Sequence, residues 1–166
     1  MEKRWVATVH LDTLEVEYDP SFKFRCVENC GLCCNNLEIP LRDEDIERIE
    51  ELGYNTWEFV DYEKAFYRGN RFLGYALKKN PLNDSCIFFD PETRKCKIYD
   101  HRPLACRLYP FIFIRDENLM EIYIKGDRFC PGIGHPEGEP LTRKFLMGEY
   151  GDLLIVHRRE IVNSRR

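Results

Sequence analysis

The 166-residue sequence predicts a small α+β domain with short antiparallel strands, a few helices and metal-binding loops that carry cysteines. Short runs of alternating apolar and polar residues, separated by turn residues, are typical of antiparallel hairpins. Other stretches space their apolar residues as one face of a helix does. The length suits one domain over residues 1–166, and the 43% of hydrophobic residues is enough for a core.

The first predicted elements are a strand pair and a helix. Residues 5–18 partly alternate between apolar and polar side chains around Asp12-Thr13, which indicates two strands joined by a turn. Farther along, Asp43 is predicted to be the N-cap of a helix that ends at Gly53. The apolar residues that share one face of this helix are Ile46, Ile49 and Leu52.

The middle of the chain is predicted to mix a short helix with strands. The helix begins at Thr56, and strands are expected at 72–78, 86–89 and 98–99, the last two around a turn through 90–92. The apolar residues assigned to the short helix are Trp57, Val60 and Phe66. This region therefore predicts small elements separated by turns.

The C-terminal part is predicted to hold a helix, a hairpin and a longer helical segment. A short helix starts at Pro103, where proline is tolerated in the first turn, and a hairpin follows over 111–125. Glycine and proline in 132–140 indicate a connector. The last segment, about 141–163, has a helical pattern that we expect to break near Gly151.

Composition and charge disfavour several classes of function. The net charge of −4, from 25 basic and 29 acidic residues, gives no indication of nucleic-acid binding. No apolar run approaches the ~20 residues of a membrane-spanning helix, and the N-terminus lacks the pattern of a secretory signal. We therefore expect a cytoplasmic protein without a membrane partner, in which thiols stay reduced and serve metals or catalysis rather than disulfides.

The eight cysteines are the strongest functional indication. The first four lie within nine residues, a spacing that can bring several sulfurs to one metal. Side chains of adjacent residues diverge, so Cys33 and Cys34 indicate two sites or a polynuclear cluster. The predicted metal ligands are Cys26, Cys30, Cys33, Cys34, Cys86, Cys96, Cys106 and Cys130.

Thiolates suit both zinc and iron–sulfur clusters, so the cysteines alone do not identify the metal. Zinc sites favour paired cysteines in tight turns, and only the first group offers them, since Cys86, Cys96 and Cys106 stand ten residues apart. Cys130-Pro131 is similar to the cysteine–proline that closes a ferredoxin run. These features favour an iron–sulfur cluster, such as 4Fe-4S, and zinc remains the alternative.

The spacing of three of the first four cysteines also matches a different class of metalloproteins. Cys26-x3-Cys30-x2-Cys33 matches the signature of the radical S-adenosylmethionine enzymes. Those enzymes use a large barrel of alternating strands and helices, whereas this chain is short and shows no such alternation after the first cysteines. The match is therefore a weak indication.

The order of the cysteines and their neighbours resembles the YkgJ-type cysteine-cluster family, of the CxxCxxCC type, described as a zinc- or iron-chelating domain. The matching stretches, within about 24–132, are Phe24-Arg25-Cys26, Cys30-Gly31-Leu32-Cys33-Cys34, Cys86-Ile87-Phe88, Cys96-Lys97-Ile98-Tyr99, His101-Arg102-Pro103-Leu104-Ala105-Cys106-Arg107-Leu108-Tyr109-Pro110 and Cys130-Pro131-Gly132. The first gap has three residues where the family pattern has two. The resemblance implies that the matching cysteines ligate metal. A similar domain occurs in flagellin lysine N-methylases.

Three arginines within a few residues of predicted ligands are expected to stabilise the excess negative charge of metal thiolates: Arg25, Arg102 and Arg107. Three functions stay open. The first is a metal-cluster protein with a redox, sensing or accessory role and a protein or redox partner. The second is a zinc-binding structural or interaction module. The third is a protein-modifying enzyme related to methylases. No catalytic residue stands out in the sequence.

Overall fold

The structure, a computed structural model, describes residues 3–27, 38–125 and 130–164. The chain divides into two compact units. The terminal unit comprises Met1–Val27 with Pro110–Arg166, and the central unit comprises Glu28–Tyr109. Each unit combines helices with antiparallel strands, so the α+β prediction is confirmed.

The elements of the described residues are short, apart from one helix. The strands are β1 (Lys3–His10), β2 (Glu15–Tyr18), β3 (Val60–Arg68), β4 (Arg71–Leu77), β5 (Phe89–Asp90), β6 (Lys95–Cys96), β7 (Phe111–Asp116) and β8 (Leu119–Lys125). The helices are α1 (Asp43–Glu51), α2 (Thr56–Phe59), α3 (Leu104–Leu108) and α4 (Arg143–Ser164), with one 3-10 turn at Tyr99–His101.

In the terminal unit, four strands form an antiparallel sheet in the order β2-β1-β8-β7. The predicted strand pair at 5–18 and the predicted hairpin at 111–125 are both confirmed as parts of this sheet. The two hairpins are joined by β1 and β8, whose register places Ala7 opposite Ile122. Alternate residues of β8 are buried, and the Phe113 ring packs edge-on against Tyr150 of α4 at 5.0 Å. These contacts place α4 on the sheet.

Helix α4 confirms the predicted C-terminal helical segment and its break. Tyr150 has non-helical dihedrals (φ −129°, ψ 16°), which separate helical stretches at 143–149 and 151–164. Gly148 and Gly151 flank this residue. Glycine destabilises a helix interior, and sharp kinks commonly occur at such residues.

Helix α1 begins one residue earlier than predicted. Arg42, rather than Asp43, is the N-cap, because the Asp45 carboxylate reaches back to accept a hydrogen bond of 2.9 Å from the Arg42 N–H. Ile49 on the apolar face is fully buried. Gly53 ends the helix with φ +104°, a left-handed conformation that glycine adopts without a Cβ penalty.

The helix predicted from Thr56 is much shorter than expected. It ends at Phe59, and Val60 and Phe66 belong to strand β3 instead. Residues 60–68 are rich in aromatic and β-branched side chains, which favour strands, and Gly69 (φ +61°) turns the chain back into β4. The prediction of a strand at 72–78 is confirmed by β4.

The strands predicted at 86–89 and 98–99 are only partly correct. The two stretches pair with each other only through β5 and β6, where Phe89 lies opposite Cys96, and Tyr99 belongs to the 3-10 turn. Arg94 (φ +56°) donates its N–H to the carbonyl of Asp90 at 2.7 Å. Because this turn is tight, the residues that pair are those next to the turn, at 89–90 and 95–96, rather than the whole of the predicted strands.

The core of the central unit forms one cluster of buried side chains: Ile39, Leu41, Ile49, Phe59, Val60, Leu77, Phe88 and Ile98. Residues 39–41 lie along β4, with hydrogen bonds of 2.8 Å from Leu41 N–H to Tyr75 O and from Leu77 N–H to Ile39 O. A Cβ on Gly74 (φ +144°) would lie 2.1 Å from the Leu41 oxygen, so only glycine allows this approach.

Candidate metal centre

The described residues include five of the eight predicted ligands. Cys30, Cys33 and Cys34 fall within 28–37, outside the described residues. The others are Cys26 and Cys130 in the terminal unit, and Cys86, Cys96 and Cys106 in the central unit.

The three described cysteines of the central unit come from three separate elements and pack against one core. Cys86 forms an isolated bridge with Lys79, Cys96 ends β6, and Cys106 lies in α3. All three are half-buried and contact the buried core cluster. The fold therefore collects cysteines that are distant in sequence on the surface of a single apolar cluster.

A rigid turn precedes Cys86. The buried hydroxyl of Ser85 donates a 2.7 Å hydrogen bond to the Asn83 side chain, which also accepts from the Ser85 N–H. The N–H of Asn80 donates to the Ser85 carbonyl at 2.7 Å, and Asp84 adopts a left-handed conformation (φ +59°). These bonds fix the backbone from which the Cys86 thiol extends.

Aromatic side chains belong to, or pack against, the buried core cluster that Cys86 and Cys96 contact. The carbonyl of Phe88 accepts a hydrogen bond from the Lys97 N–H at 2.8 Å, and the Phe88 ring contacts the ring of Tyr54 at 5.0 Å. An apolar environment disfavours an ionised thiolate unless a positive charge compensates it. A bound metal supplies such a charge, so these positions fit metal ligation by thiolate sulfur.

Asp45 connects α1 to the segment that begins α3. The side chain of Asp45 is completely buried. One of its oxygens, Oδ1, accepts hydrogen bonds from Arg48 Nη2 at 2.8 Å and from the Leu104 N–H at 3.1 Å. Arg48 Nη2 also donates to the carbonyl of Arg102 at 3.0 Å. We call these contacts, with the bond to the Arg42 N–H, the Asp45 network.

The Asp45 network fixes the start of the helix that carries Cys106. One carboxylate caps two helices, because it accepts the N–H of Arg42 before α1 and the N–H of Leu104 at the start of α3. In the sequence, Asp45 is one of several acidic residues in a first turn. Its spacing of three residues from the N-cap predicts only the bond to Arg42, not the long-range bond to Leu104.

The structure gives the predicted charge-stabilising arginines different surroundings. The guanidinium of Arg102 lies over the Tyr99 ring, 3.9 Å from its centroid, and donates to the Tyr99 carbonyl at 2.9 Å. Arg107 follows Cys106 in α3 and is half-buried. Arg25 forms an ion pair of 2.9 Å with Glu137, and both side chains are exposed. Their proposed role toward thiolates stays a prediction.

A cation that no sequence motif indicates, Lys79, lies opposite Cys86. The side chain of Lys79 is only 14% exposed, and its Nζ lies 3.3 Å from Glu38 Oε1. Lys64 reaches the same oxygen at 3.1 Å, and this hydrogen bond is the main cause that lowers the pKa of Glu38. Two lysines therefore hold Glu38, the first described residue of the central unit.

In the terminal unit, Cys26 and Cys130 lie on neighbouring backbone segments. The N–H of Arg25 donates to the Gly132 carbonyl at 3.1 Å, and Phe24 bridges to the connector at two places. A Cβ on Gly132 would lie 2.0 Å from the Arg25 oxygen, so this close approach requires glycine. The two ends of the predicted cysteine core are thus fixed next to each other.

Within residues 3–27, 38–125 and 130–164, no three His, Cys, Asp or Glu side chains converge where a metal ion could bind. Among the helices of these same residues, none is long and apolar enough to cross a membrane.

Comparison with known proteins agrees with the resemblance drawn from the cysteine motifs. Residues 25–131 match the CxxCxxCC family model, whose description is "Putative zinc- or iron-chelating domain". The chain is 33% identical over 128 residues to the uncharacterized protein MJ0661 of Methanocaldococcus jannaschii. That alignment covers 76% of this chain and 66% of the archaeal protein, slightly less than two thirds of its length. No solved structure matches the chain.

Proposed function

The chain belongs to the CxxCxxCC family, and from this membership we propose that it is an iron–sulfur protein with a redox, sensing or accessory role. Family membership supports metal binding in general. The ligands in this proposal are Cys26, Cys30, Cys33, Cys34, Cys86, Cys96, Cys106 and Cys130. We place the protein in the cytoplasm, where thiols stay reduced.

The position of the central-unit cysteines is the observation that supports iron–sulfur over zinc. A structural zinc site is typically built from pairs of cysteines, each pair in one tight turn. Cys86, Cys96 and Cys106 instead come one each from a bridge, a strand and a helix, around one apolar core. Dispersed thiolates on an apolar surface suit a cluster, which is larger than a single ion and whose potential depends on burial.

Charge supports the same proposal. Ligating thiolates are deprotonated and carry more negative charge than the metal neutralises, so nearby cations and N–H donors stabilise the site. Lys79 stands opposite Cys86, and Arg107 follows Cys106. A bound cluster would supply one-electron exchange, and the protein's residues would hold it and adjust its potential.

Metal and sulfide analysis of the full-length chain, purified without oxygen, tests this function. We expect iron and acid-labile sulfide in equal amounts and a broad absorption near about 400 nm. A colourless protein that contains zinc and no sulfide would overturn the proposal in favour of a zinc-binding structural module.

Replacing single ligands tests the assigned cysteines. Cys106→Ser should lower the iron and sulfide content, because a serine hydroxyl is a poor ligand for iron in a cluster. Ala105→Ser is the matched control, since it places the same hydroxyl one residue earlier in α3, against the same core. If Cys106→Ser and Ala105→Ser keep equal iron and sulfide, Cys106 is not a ligand.

A further inference from the structure

Arg48 of helix α1 has a buried donor that no described residue satisfies. Its Nη2 makes two hydrogen bonds, to Asp45 Oδ1 at 2.8 Å and to the carbonyl of Arg102 at 3.0 Å. The side chain as a whole is 35% exposed, but its Nε is shielded from solvent and has no acceptor among the described residues. Such donors are rare because an unpaired buried N–H destabilises the fold. The Nε of Arg48 therefore indicates an acceptor that belongs to the functional protein.

The contacts of Arg48 place it beside the start of the helix that carries Cys106. Its Nη2 donates to the carbonyl of Arg102, the residue before Pro103. The carbonyl of Pro103 in turn accepts the Cys106 N–H at 3.0 Å. Ile49, the next residue of α1, belongs to the buried core cluster that Cys106 contacts. Two hydrogen bonds and one residue of backbone thus connect Arg48 to a predicted metal ligand.

The Asp45 network carries more positive than negative charge. Arg42 and Arg48 both form ion pairs with the single carboxylate of Asp45, at 3.2 and 2.8 Å. One unit of positive charge in this network is therefore not balanced by its own carboxylate. Ligating thiolates carry more negative charge than their metal neutralises, and nearby cations and N–H donors stabilise them. The surplus charge and the unsatisfied donor match this need.

Two of the arginines predicted from the sequence to stabilise thiolates are engaged elsewhere. The guanidinium of Arg102 lies over the Tyr99 ring, and Arg25 pairs with the exposed carboxylate of Glu137. Arg48 lies far from every cysteine in the sequence, so no motif indicates it. Only the folded backbone brings it to the segment that begins α3.

We propose that Arg48 Nε donates a hydrogen bond to a sulfur of the metal centre that Cys106 helps to hold. The inference rests on the proposed function for the presence of that centre, but a thiolate on zinc would accept the same bond. Hydrogen bonds to the sulfurs of a cluster raise its reduction potential, because the reduced state carries more negative charge and gains more from a donor. Arg48 is then not a ligand but the residue that adjusts the potential.

The reduction potentials of two lysine variants test this bond in the full-length, iron-loaded chain. Lysine keeps the positive charge beside Asp45 but has no donor at the position of Nε. Arg48→Lys should therefore lower the midpoint potential by on the order of 59 mV, which is a tenfold change for one electron. Arg42→Lys is the matched control, because Arg42 also pairs with Asp45 and its Nε already donates to Asp45 Oδ2 at 3.4 Å. Equal potentials in both variants and the unmodified chain would overturn the proposal.

Pulsed electron paramagnetic resonance of the reduced protein detects the bond itself. With arginine labelled by nitrogen-15 at Nε, the unmodified chain and Arg42→Lys should show a nitrogen-15 coupling to the unpaired electron of the cluster. Arg48→Lys should lose this coupling while it keeps its iron and sulfide. A shift in potential without any coupling would mean that Arg48 acts only through the backbone of Arg102, and the proposed bond would be wrong. No coupling in the unmodified chain overturns the proposal even if Arg48→Lys loses its cluster.

Metal and sulfide content separates a failure of this inference from a failure of the proposed function. If iron and sulfide are present and Arg48→Lys behaves like Arg42→Lys, the hydrogen bond is wrong and the function stands. If the chain holds zinc without sulfide, the function is wrong, and the rate of zinc transfer to a chelator tests the bond instead. Arg48→Lys should then release zinc about tenfold faster than Arg42→Lys, because loss of a hydrogen bond to a ligand weakens metal binding. Equal rates would overturn the proposal.

Discussion

The two units of the chain are stabilised in different ways. The terminal unit has strands of up to eight residues, one four-stranded sheet and a long helix, and its buried side chains include Val9, Ile122 and Leu154. The central unit has strands as short as two residues, and its core is contacted by three cysteines. Sheet formation and apolar burial therefore contribute more in the first unit, whereas the two-stranded sheets of the second unit leave more of its stability to other interactions.

A metal centre can provide that stability. Short helices and isolated two-stranded ribbons bury little apolar area each and are marginal alone. Where a binding site exists only in the folded state, the free energy of metal binding adds to the free energy of folding. If the central cysteines ligate a cluster, as we propose, the central unit is the part of the chain that depends on it.

The largest effect is therefore expected on removing the metal. Chelation without oxygen should increase amide hydrogen exchange throughout residues 38–109, while β1 and β8 of the terminal unit stay protected. Hydrogen exchange followed by mass spectrometry measures the amide protection of both units in one sample. Loss of protection to the same degree in both units, or in neither, would show that the central unit does not depend on the metal more than the terminal unit does.

Local sequence patterns predicted the terminal unit better than the central one. The hairpins β1–β2 and β7–β8 follow from alternation and turn residues close in sequence. The pairing of β1 with β8 could not be read, because it joins residues more than one hundred positions apart. In the central unit, the sequence predicts Phe66 in a helix, although it lies in β3, since a short apolar run does not distinguish a helix from a strand.

The residues of the candidate site also differ in how far the sequence predicts them. Spacing and residue type pointed to the cysteines, because thiolate chemistry is visible in the sequence. The residues that position them were not visible. In the sequence, Asp45 is an ordinary acidic residue in the first turn of a helix. Its hydrogen bond to the Leu104 N–H joins residues 59 positions apart, which no local pattern predicts. Lys79 acquires its place opposite Cys86 only through the folded backbone.

Asp45 carries the next largest expected effect. Asp45→Ala removes the buried acceptor of Leu104 and leaves Arg48 without its ion-pair partner, so the central unit should lose about 3 kcal/mol of unfolding free energy. Denaturant unfolding followed in the central unit measures this loss. Asp43→Asn, in the exposed first turn of the same helix, should cost less than about 1 kcal/mol. Equal losses from the two variants would show that the network stabilises nothing.

A glycine substitution should have a moderate effect in the terminal unit. Gly132→Ala places a Cβ against the Arg25 oxygen, and overpacking of this kind costs about 1–3 kcal/mol. Gly148→Ala meets no atom within 4 Å inside α4 and should instead gain about 0.5–1 kcal/mol. Thermal unfolding compares the two variants. If Gly132→Ala is neutral, the segments of Cys26 and Cys130 are less closely fixed than described.

The smallest effect concerns pH and separates the units once more. Hydrogen bonds from the Ser21 hydroxyl, and then from Arg4, lower the pKa of the Asp19 carboxyl to about 2. Because the folded pKa lies below the unfolded one, the stabilisation is complete above about pH 4 and is lost as the pH falls through about 2. Metal-ligating thiolates compete with protons, so the central unit should lose its metal at a higher pH than the one at which Asp19 is protonated.

Carbon-13 NMR titration of the Asp19 carboxyl should give a pKa of about 2, and Ser21→Ala should raise this pKa further than Arg4→Gln does. A pKa of Asp19 unchanged by Ser21→Ala would show that the hydroxyl is not the main cause.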